Sequence, residues 1–445
     1  MSSTKTQKSR FERNLSLMGA LTIGLGTMIG AGLFVLSGPA AGQSGPAVTI
    51  SYLIAGIICL PVAMIVSELA TAMPQAGGSY HLVTKTLGPF AGTIVGLANW
   101  LGLMFAGGFY LIGFAQYLTE YVGIDKWIIV AAVGALFTLL NILGAHYTGR
   151  AQQGIVAVLV LIIAYYIISG WPQIDSDLHR PYFEEEFGNV FATVGLIIVS
   201  FTGFEKISTT AGEIKNPSKN LPIAIIGSVI IATILYMFIL HVSTGIVPYE
   251  EFAAMNAPLV DAAEVFMASS VGVTLIWAAA LLAMASSSNA AITTASRINF
   301  AMGRDRVLPK WFDYIHKKFD TPMRSVLITG LLCIGLAEVG NIEQLAKISS
   351  VMFMVSYALI CWGLIRMRHL KPTWYQPEFK VPWVPILPCI AGLAALSIIT
   401  VMDLIPQIAG VGFIAVGIAW YFIWVKRNYR HGGDKESGFE EEEEE

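Results

Sequence analysis

Residues 24–34 read GLGTMIGAGLF, and this glycine-rich stretch lies inside an apolar run long enough to cross a bilayer. Its glycines do not match a dinucleotide-binding loop, because their spacing differs and no strand precedes them. Two interpretations remain. Gly26 and Gly30 fit the GxxxG spacing that packs membrane helices closely together. Alternatively, the glycines favour a helix that is interrupted within the membrane, whose free backbone amides hold an anion such as a carboxylate.

A second unusual stretch, SFTGFEKIS at residues 200–208, favours the interrupted helix. Glu205 and Lys206 stand beside Gly203 in the middle of another apolar run. An ionisable side chain at membrane depth costs at least about 2.5–3.5 kcal/mol, so it faces a cavity or a partner. A satisfied internal pair, for instance with Lys206 or with a neighbouring helix, is one interpretation of Glu205, and a role in gating or coupling is the other. Paired interruptions in the two halves of a chain are typical of a transporter binding site near the bilayer midplane.

The whole chain has the composition of a membrane protein. Of its 445 residues, 55% are hydrophobic and only 13% are charged, against about 25% charged in a soluble domain. The apolar runs are too long and continuous for the strands of a barrel, so the sequence predicts an all-α polytopic membrane protein embedded in the lipid bilayer. Twelve transmembrane helices are predicted, at residues 15–36, 47–72, 90–119, 127–145, 151–170, 189–211, 222–247, 271–296, 325–340, 348–367, 383–403 and 406–425.

The charges of the connecting segments predict how these helices are oriented. With a cytoplasmic N-terminus, 24 of the 27 Lys and Arg residues fall on the cytoplasmic side. The positive-inside rule therefore predicts that both termini are cytoplasmic, and the plasma membrane is the expected location. Residues 1–14 form a predicted cytoplasmic segment. Residues 426–445, which end in the run Glu440–Glu445, form a predicted cytoplasmic acidic tail.

The sequence contains no evident catalytic or metal-binding constellation. The four cysteines lie far apart in apolar runs without accompanying histidines, at Cys59, Cys333, Cys361 and Cys389. No metal site and no cofactor are therefore predicted. Motifs such as HExxH and GxSxG are absent, so we predict that the protein is not an enzyme. A net charge of −3 provides no basic field for nucleic acid.

Five stretches occur in an order that defines a family resemblance. They are GTMIGAGLF (26–34), SELATAMPQAGGSYHLVTKTLGPFAG (67–92), SFTGFE (200–205), GEIKNPSKNLPIAI (212–225) and AMGRDRVLP (301–309). With them the chain resembles the amino acid–polyamine–organocation (APC) superfamily of secondary transporters. The resemblance implies an inverted repeat of two five-helix units, residues 15–170 and 189–367, whose first and sixth helices are broken. Helices 11 and 12, residues 383–425, lie outside the repeat.

The resemblance also implies alternating-access transport of an amino acid that is held at the two broken helices. Its carboxylate is expected to meet backbone amides after the first break, and its ammonium group to meet carbonyl groups of unwound backbone. The expected amides are those of Gly30, Ala31 and Gly32. The expected carbonyl groups are those of Met28, Val199 and Thr202. The other residues predicted to shape the substrate site are Ile29, Phe201, Gly203, Phe204, Tyr110 and Ala291.

The predicted substrate is a small or apolar amino acid. In some relatives that recognise a guanidinium group, a large aromatic residue occupies the position that falls near Ala291, and alanine is small. No acidic residue is an obvious partner for a cationic side chain. An amino acid/polyamine exchanger, an inorganic-ion transporter and a nutrient sensor on the same scaffold stay open as alternatives. Glu68 and Glu213 are interpreted as gate or loop-anchoring residues outside the substrate site.

Three modes of coupling stay open. Proton-driven relatives often carry a lysine in the fifth span, and the matching position here falls at or near Leu159. A sodium ion is therefore one candidate, since carbonyl and hydroxyl oxygens suit a hard monovalent cation. Its expected ligands are backbone near Gly26 and Ile29 and the hydroxyl groups of Ser286 and Ser287. The serines could instead pack between helices. A proton carried by Glu205 is the second candidate, and exchange without a coupling ion is the third.

Overall fold

The computed structural model describes residues 15–73, 77–144, 149–183, 186–267 and 269–429. The predicted segment 1–14 and residues 430–445 of the predicted tail lie outside the described residues. The helices are α1 (Leu17–Met28), α2 (Ala31–Phe34), α3 (Ser37–Ser44), α4 (Val48–Ala72), α5 (Gly78–Leu87), α6 (Pro89–Val122), α7 (Lys126–Ile142), α8 (Gly149–Gly170), α9 (Phe187–Ile197), α10 (Gly203–Thr209), α11 (Pro217–Thr244), α12 (Tyr249–Ala254), α13 (Pro258–Phe266), α14 (Ser270–Arg304), α15 (Met323–Val339), α16 (Ile342–Leu370), α17 (Ile386–Thr400), α18 (Leu404–Trp420) and α19 (Lys426–Asn428). Short 3-10 turns lie at Gly45–Ala47, Trp171–Gln173, Ser176–His179, Ile198–Phe201, Ala211–Glu213 and Lys310–Asp313, and a π-helical turn lies at Tyr421–Val425.

The prediction of an all-helical polytopic protein is confirmed for the described residues. Nine of their helical segments are long and apolar enough to cross a membrane. Two shorter apolar helices, α7 and α17, fall in predicted runs, and α15 occupies the predicted run at 325–340. Twelve crossings and the inverted repeat stay predictions.

The described chain also contains helices that the hydropathy pattern did not predict. They are α3, α5, α12 and α13, and all four belong to connections between predicted spans. The start of α5 depends on two glycines, because Gly77 and Gly78 both have positive φ, at 147° and 56°. An isolated β-bridge joins Leu15 to Ile214, so the chain before α1 is tied to the segment that follows α10.

The long helices form the frame around the first and sixth predicted spans. Helix α6 packs along α14 and α16, and α4 packs along α11. Helix α1 packs against α8, α10 and α11. The backbones of α1 and α10 approach closely, because a Cβ atom on Gly203 would collide with the carbonyl oxygen of Gly24 and would lie 2.8 Å from Met28 Cγ. The two spans with unusual sequences therefore meet in the centre of the molecule.

Candidate functional site

The first predicted span consists of two helical pieces. Helix α1 ends at Met28, α2 begins at Ala31, and Ile29 and Gly30 between them are not helical. The amide of Gly30 donates to the carbonyl oxygen of Met28 at 2.8 Å, which is a tight local turn and not an α-helical bond. The first amides of the second piece belong to Ala31 and Gly32, and such N-terminal amides have no partner within their own helix.

The sixth predicted span is interrupted in a different way. Helix α9 ends at Ile197, a 3-10 turn covers Ile198–Phe201, and α10 starts at Gly203. The carbonyl oxygen of Val199, expected to be free for an ammonium group, accepts the hydroxyl of Thr202 at 2.9 Å. The backbone is therefore tightened here and not unwound, because the Val199 carbonyl group still has a partner within the same span.

A tyrosine that the sequence analysis did not single out joins the two interruptions. Tyr236 lies on α11, and its hydroxyl donates to the carbonyl oxygen of Met28 at 2.5 Å. The same hydroxyl lies 3.1 Å from the carbonyl oxygen of Ser200. Its ring packs at a centroid distance of 5.3 Å from Tyr52 and 5.2 Å from Phe201. One side chain thus holds both breaks and forms an aromatic wall beside them.

Two buried hydroxyl groups at the break have no hydrogen-bond partner among the described residues. They belong to Ser200, beside Gly32, and to Ser287 of α14, beside Gly30. A Cβ atom on either glycine would collide with the neighbouring serine hydroxyl. Buried polar groups are normally satisfied, and an exception requires an explanation. Glycine at both positions therefore lets the serine hydroxyls lie close to the backbone of the break.

The other residues predicted for the site are also in the interior. Met28, Ile29, Ala31, Val199, Phe201, Phe204, Tyr110 and Ala291 are all buried. Phe204 packs on Tyr357 of α16, and Tyr110 packs on Phe109 within α6. Ser286 is half-buried, whereas Ser287 next to it is fully buried. Leu159 is fully buried in α8, so an apolar side chain fills the position where proton-driven relatives often carry lysine.

A second group of polar side chains lies where α10 faces α5 and α6. Glu205 accepts a hydrogen bond from the Ser79 hydroxyl at 2.9 Å through Oε2. Three buried atoms in this region lack a hydrogen-bond partner within the described ranges: Glu205 Oε1, Lys206 Nζ and Asn99 Oδ1. The proposed internal pair between Glu205 and Lys206 is therefore not formed, since the ammonium group has no acceptor.

A small cavity connects these groups. It has a volume of about 20 Å³ and is lined by Gly78, Ser79, Asn99, Leu103, Thr202, Glu205, Lys206, Thr209, Thr294, Ile298 and Phe353. This volume is enough for a single water molecule and too small for an amino acid. Thr202 belongs to the interrupted sixth span, so the cavity reaches from that interruption to the Ser79 contact.

Glu68, interpreted above as a gate or loop anchor, lies in a different environment. It is fully buried near the end of α4. Oε1 lies 2.7 Å from Nε of Arg368 and accepts from the Tyr375 hydroxyl at 2.8 Å. Oε2 accepts from Nη2 of Arg368 at 2.9 Å and from the amide of Val381 at 2.6 Å. The carboxylate thus ties α4 to the end of α16 and to the segment that follows it.

Helical spans with internal interruptions that meet among buried polar groups define a multi-pass membrane transport protein, and the comparisons identify its family. The chain belongs to the amino acid permease family of the APC superfamily, whose model matches residues 19–427. It is therefore a transporter and not an enzyme, as predicted.

Similar proteins carry different substrate names. A branched-chain amino acid permease of Bacillus subtilis is 28% identical, with 96% of each chain covered. A methylthioribose transporter of the same organism is 27% identical, also with 96% of each chain covered. A vacuolar cationic amino acid transporter of Arabidopsis thaliana is 28% identical over 81% of this chain and 64% of its own.

Proposed function

We propose that this protein is a secondary active transporter that moves a small or apolar amino acid across the plasma membrane by alternating access. The substrate is held between the Ile29–Gly30 break and the 3-10 turn Ile198–Phe201. The observation that carries the proposal is the interrupted first span, which leaves helix-terminal amides beside two buried serine hydroxyls that have no partner among the described residues. Amides favour a carboxylate, and nearby carbonyl and hydroxyl oxygens favour an ammonium group or a cation.

The proposed substrate class follows from the side chains around the break. Tyr52, Phe201 and Tyr236 form an aromatic wall, and Ala291 and Gly107 pack together on the facing helices α14 and α6. Apolar rings suit an apolar side chain. The similarity to a branched-chain amino acid permease agrees with an apolar substrate. The similarity to a cationic amino acid transporter indicates a cationic amino acid as the alternative substrate.

Uptake into proteoliposomes tests the proposal. Radiolabelled leucine, isoleucine, valine and alanine are expected to accumulate, and unlabelled lysine and arginine are expected to compete poorly. Accumulation of cationic amino acids alone would contradict the substrate class. Failure of every amino acid tested would move the assignment to the ion-transporting, methylthioribose-like or sensor alternatives.

A substitution at the break tests the location of the site. Gly30→Leu is expected to abolish uptake, because its side chain would occupy the space of the Ser287 hydroxyl. Gly154→Leu is the matched control, since a Cβ atom there meets nothing within 4 Å. Both variants must elute as monodisperse protein after purification. A folded Gly30→Leu variant with unaltered uptake would exclude the break as the substrate site.

For coupling we propose a sodium ion held by the first span and α14, with Gly26, Ile29, Ser286 and Ser287 as ligands. The support is the Ser287 hydroxyl beside Gly30, which has no hydrogen-bond partner in the described part of the chain, because oxygen ligands suit a hard cation. We expect an inward sodium gradient to drive uptake. Ser287→Ala should abolish this uptake, whereas the control Ser397→Ala, at an exposed position, should keep it. Uptake driven by a proton gradient alone would move the coupling role to Glu205. Uptake only into vesicles preloaded with amino acid would identify an exchanger.

A further inference from the structure

The connection between α14 and α15 has features that the transport site does not use. The connection and the helix ends that flank it contain six cationic side chains, namely Arg304 at the end of α14, Arg306, Lys310, Lys317 and Lys318 in the connection, and Arg324 in the first turn of α15. Two of its three aspartates are already engaged, Asp305 with Arg304 at 3.2 Å and Asp313 with Arg306 at 3.4 Å. The three lysines are exposed and form no ion pair within the described part of the chain. An excess of unpaired positive charge therefore remains on this connection.

The position of the connection follows from the length of its neighbours. Helix α15 has 17 residues, which corresponds to about 26 Å and is slightly less than the bilayer's hydrocarbon thickness of about 30 Å. Helix α7 has the same length. The hydroxyl of Thr321 donates to the carbonyl oxygen of Ile142 at 2.8 Å and so joins the end of α7 to the start of α15. Both helices correspond to predicted spans, and helices this short do not extend far beyond the hydrocarbon, so we expect this segment to lie at the level of the lipid headgroups.

The connection is folded and presents apolar side chains beside its charges. The amide of His316 donates to the carbonyl oxygen of Thr321 at 2.9 Å and closes a tight turn. The guanidinium group of Arg324 lies 4.2 Å from the centre of the Tyr314 ring and 5.2 Å from that of the Trp311 ring. Trp311 and Ile315 are nevertheless exposed, at 45% and 46%. Aromatic side chains with one polar edge are typical of the membrane–water interface.

The last span holds the other end of the same connection. The indole Nε1 of Trp420 donates to the carbonyl oxygen of Val307 at 2.8 Å, and the indole Nε1 of Trp424 donates to the carbonyl oxygen of Arg306 at 3.2 Å. The two indole rings are stacked at a centroid distance of 5.9 Å. The connection is thus fixed to α7, to α15 and to the end of α18, and its lysines project from a rigid base.

We infer that Lys310, Lys317, Lys318 and Arg324, with Trp311 and Ile315, form a binding surface for the headgroup phosphates of anionic phospholipids, named here the basic headgroup surface. The lysines attract the phosphate, and the exposed tryptophan and isoleucine enter the boundary of the acyl chains. Each cation near an anionic membrane surface adds to the affinity. The inference rests on the proposed orientation, in which this connection faces the cytoplasm, where anionic lipids are enriched.

Lipid titration of the purified, delipidated full chain in detergent, followed by native mass spectrometry, tests the inference. Phosphatidylglycerol is expected to bind at least about tenfold more tightly than phosphatidylcholine. The triple variant K310Q/K317Q/K318Q is expected to bind phosphatidylglycerol on the order of 10–100-fold more weakly. The matched control is K215Q/K219Q/K371Q, which removes three exposed lysines elsewhere in the described chain, at Lys215 before α11, Lys219 in its first turn and Lys371 after α16, and it should leave binding unchanged.

Additional measurements distinguish a lipid headgroup from a soluble phosphate as the ligand. Trp311→Ser is expected to weaken phosphatidylglycerol binding without affecting the response to salt. Competition by glycerol phosphate at the concentration of the lipid would show that a soluble phosphate is the ligand and would overturn the inference. Equal affinity of the triple variant and the unaltered chain, or equal binding of both lipids, would also overturn it. The assay measures no transport, so its failure is distinguishable from a failure of the proposed function.

Discussion

Two buried glutamates of this transporter differ in how many hydrogen-bond and ion-pair partners their carboxylates have. Glu68 accepts three hydrogen bonds, from Arg368 Nη2, the Tyr375 hydroxyl and the amide of Val381, and its Oε1 also forms an ion pair with Nε of Arg368. Glu205 has one donor, the hydroxyl of Ser79, and its other oxygen has none within the described residues. Burial alone is therefore no guide to the role of a carboxylate in this protein.

The difference assigns different tasks to the two residues. A buried charge with a complete set of partners stabilises one arrangement of the helices, and removing a partner leaves an uncompensated charge. A buried charge with incomplete partners is stable only in a cavity that can supply water, an ion or a proton. We therefore interpret Glu68 as a structural clamp between α4 and the end of α16, and we propose that Glu205 is a group that changes its partners during transport.

The largest effect is expected for Glu68→Ala. The substitution leaves the Arg368 guanidinium and the Val381 amide without their acceptor, and breaking a buried pair of this kind costs about 3–5 kcal/mol. We expect the low end of that range, because the Arg368 side chain is 27% exposed. Thermal unfolding of the purified protein should show a much lower midpoint. Glu213→Ala, at an exposed position after α10, should leave the midpoint unchanged, and equal shifts in the two variants would refute the clamp.

Glu205→Gln should separate stability from transport. The glutamine carbonyl can still accept from Ser79, so the unfolding midpoint is expected to change little. Loss of the charge removes an interaction that is worth about 1.5–3 kcal/mol when a charged group takes part, which corresponds to a 10–100-fold slower uptake. Uptake kinetics under separate sodium and proton gradients measure this effect. A variant with unaltered uptake and a strongly lowered midpoint would show that Glu205 is also a structural clamp.

The sequence alone predicts the interruption of the first span, but it does not predict the partners of Glu68 or the role of Tyr236. Glycine spacing predicted an interruption near Gly30, because glycine lowers the cost of leaving the helix. The partners of Glu68 come from residues about 300 positions later in the chain, and no local pattern connects such distant positions. Tyr236 was missed because a tyrosine in an apolar run resembles any core aromatic residue. Only the fold shows that its hydroxyl reaches both interrupted spans.

Lys206→Met extends the comparison to the buried cation beside Glu205. Its ammonium group has no partner among the residues described, so replacing it with an apolar side chain of similar length removes a desolvation cost. We expect the variant to be more stable, by about 1–2 kcal/mol, and to take up substrate more slowly. The exposed Lys219→Met on α11 is the control, with no change in either quantity. A less stable Lys206→Met protein would indicate that the ammonium group is satisfied by bound water or an ion in the cavity.

The smallest effects are expected from removing one hydroxyl at each glutamate. Burial and the neighbouring Glu68 carboxylate raise the pKa of the Tyr375 phenol, so this hydroxyl remains a donor throughout the physiological pH range. In Tyr375→Phe the Glu68 carboxylate keeps Arg368 and the Val381 amide, and the loss of stability should be about 1 kcal/mol with uptake nearly unchanged.

In Ser79→Ala the carboxylate of Glu205 loses the one donor that the described residues give it. A similar loss of stability should then be accompanied by a several-fold change in uptake, because the contact between α5 and α10 is broken. Uptake by Tyr375→Phe and Ser79→Ala should be measured side by side. Equal effects on uptake would show that Glu68 and Glu205 do not differ in their roles.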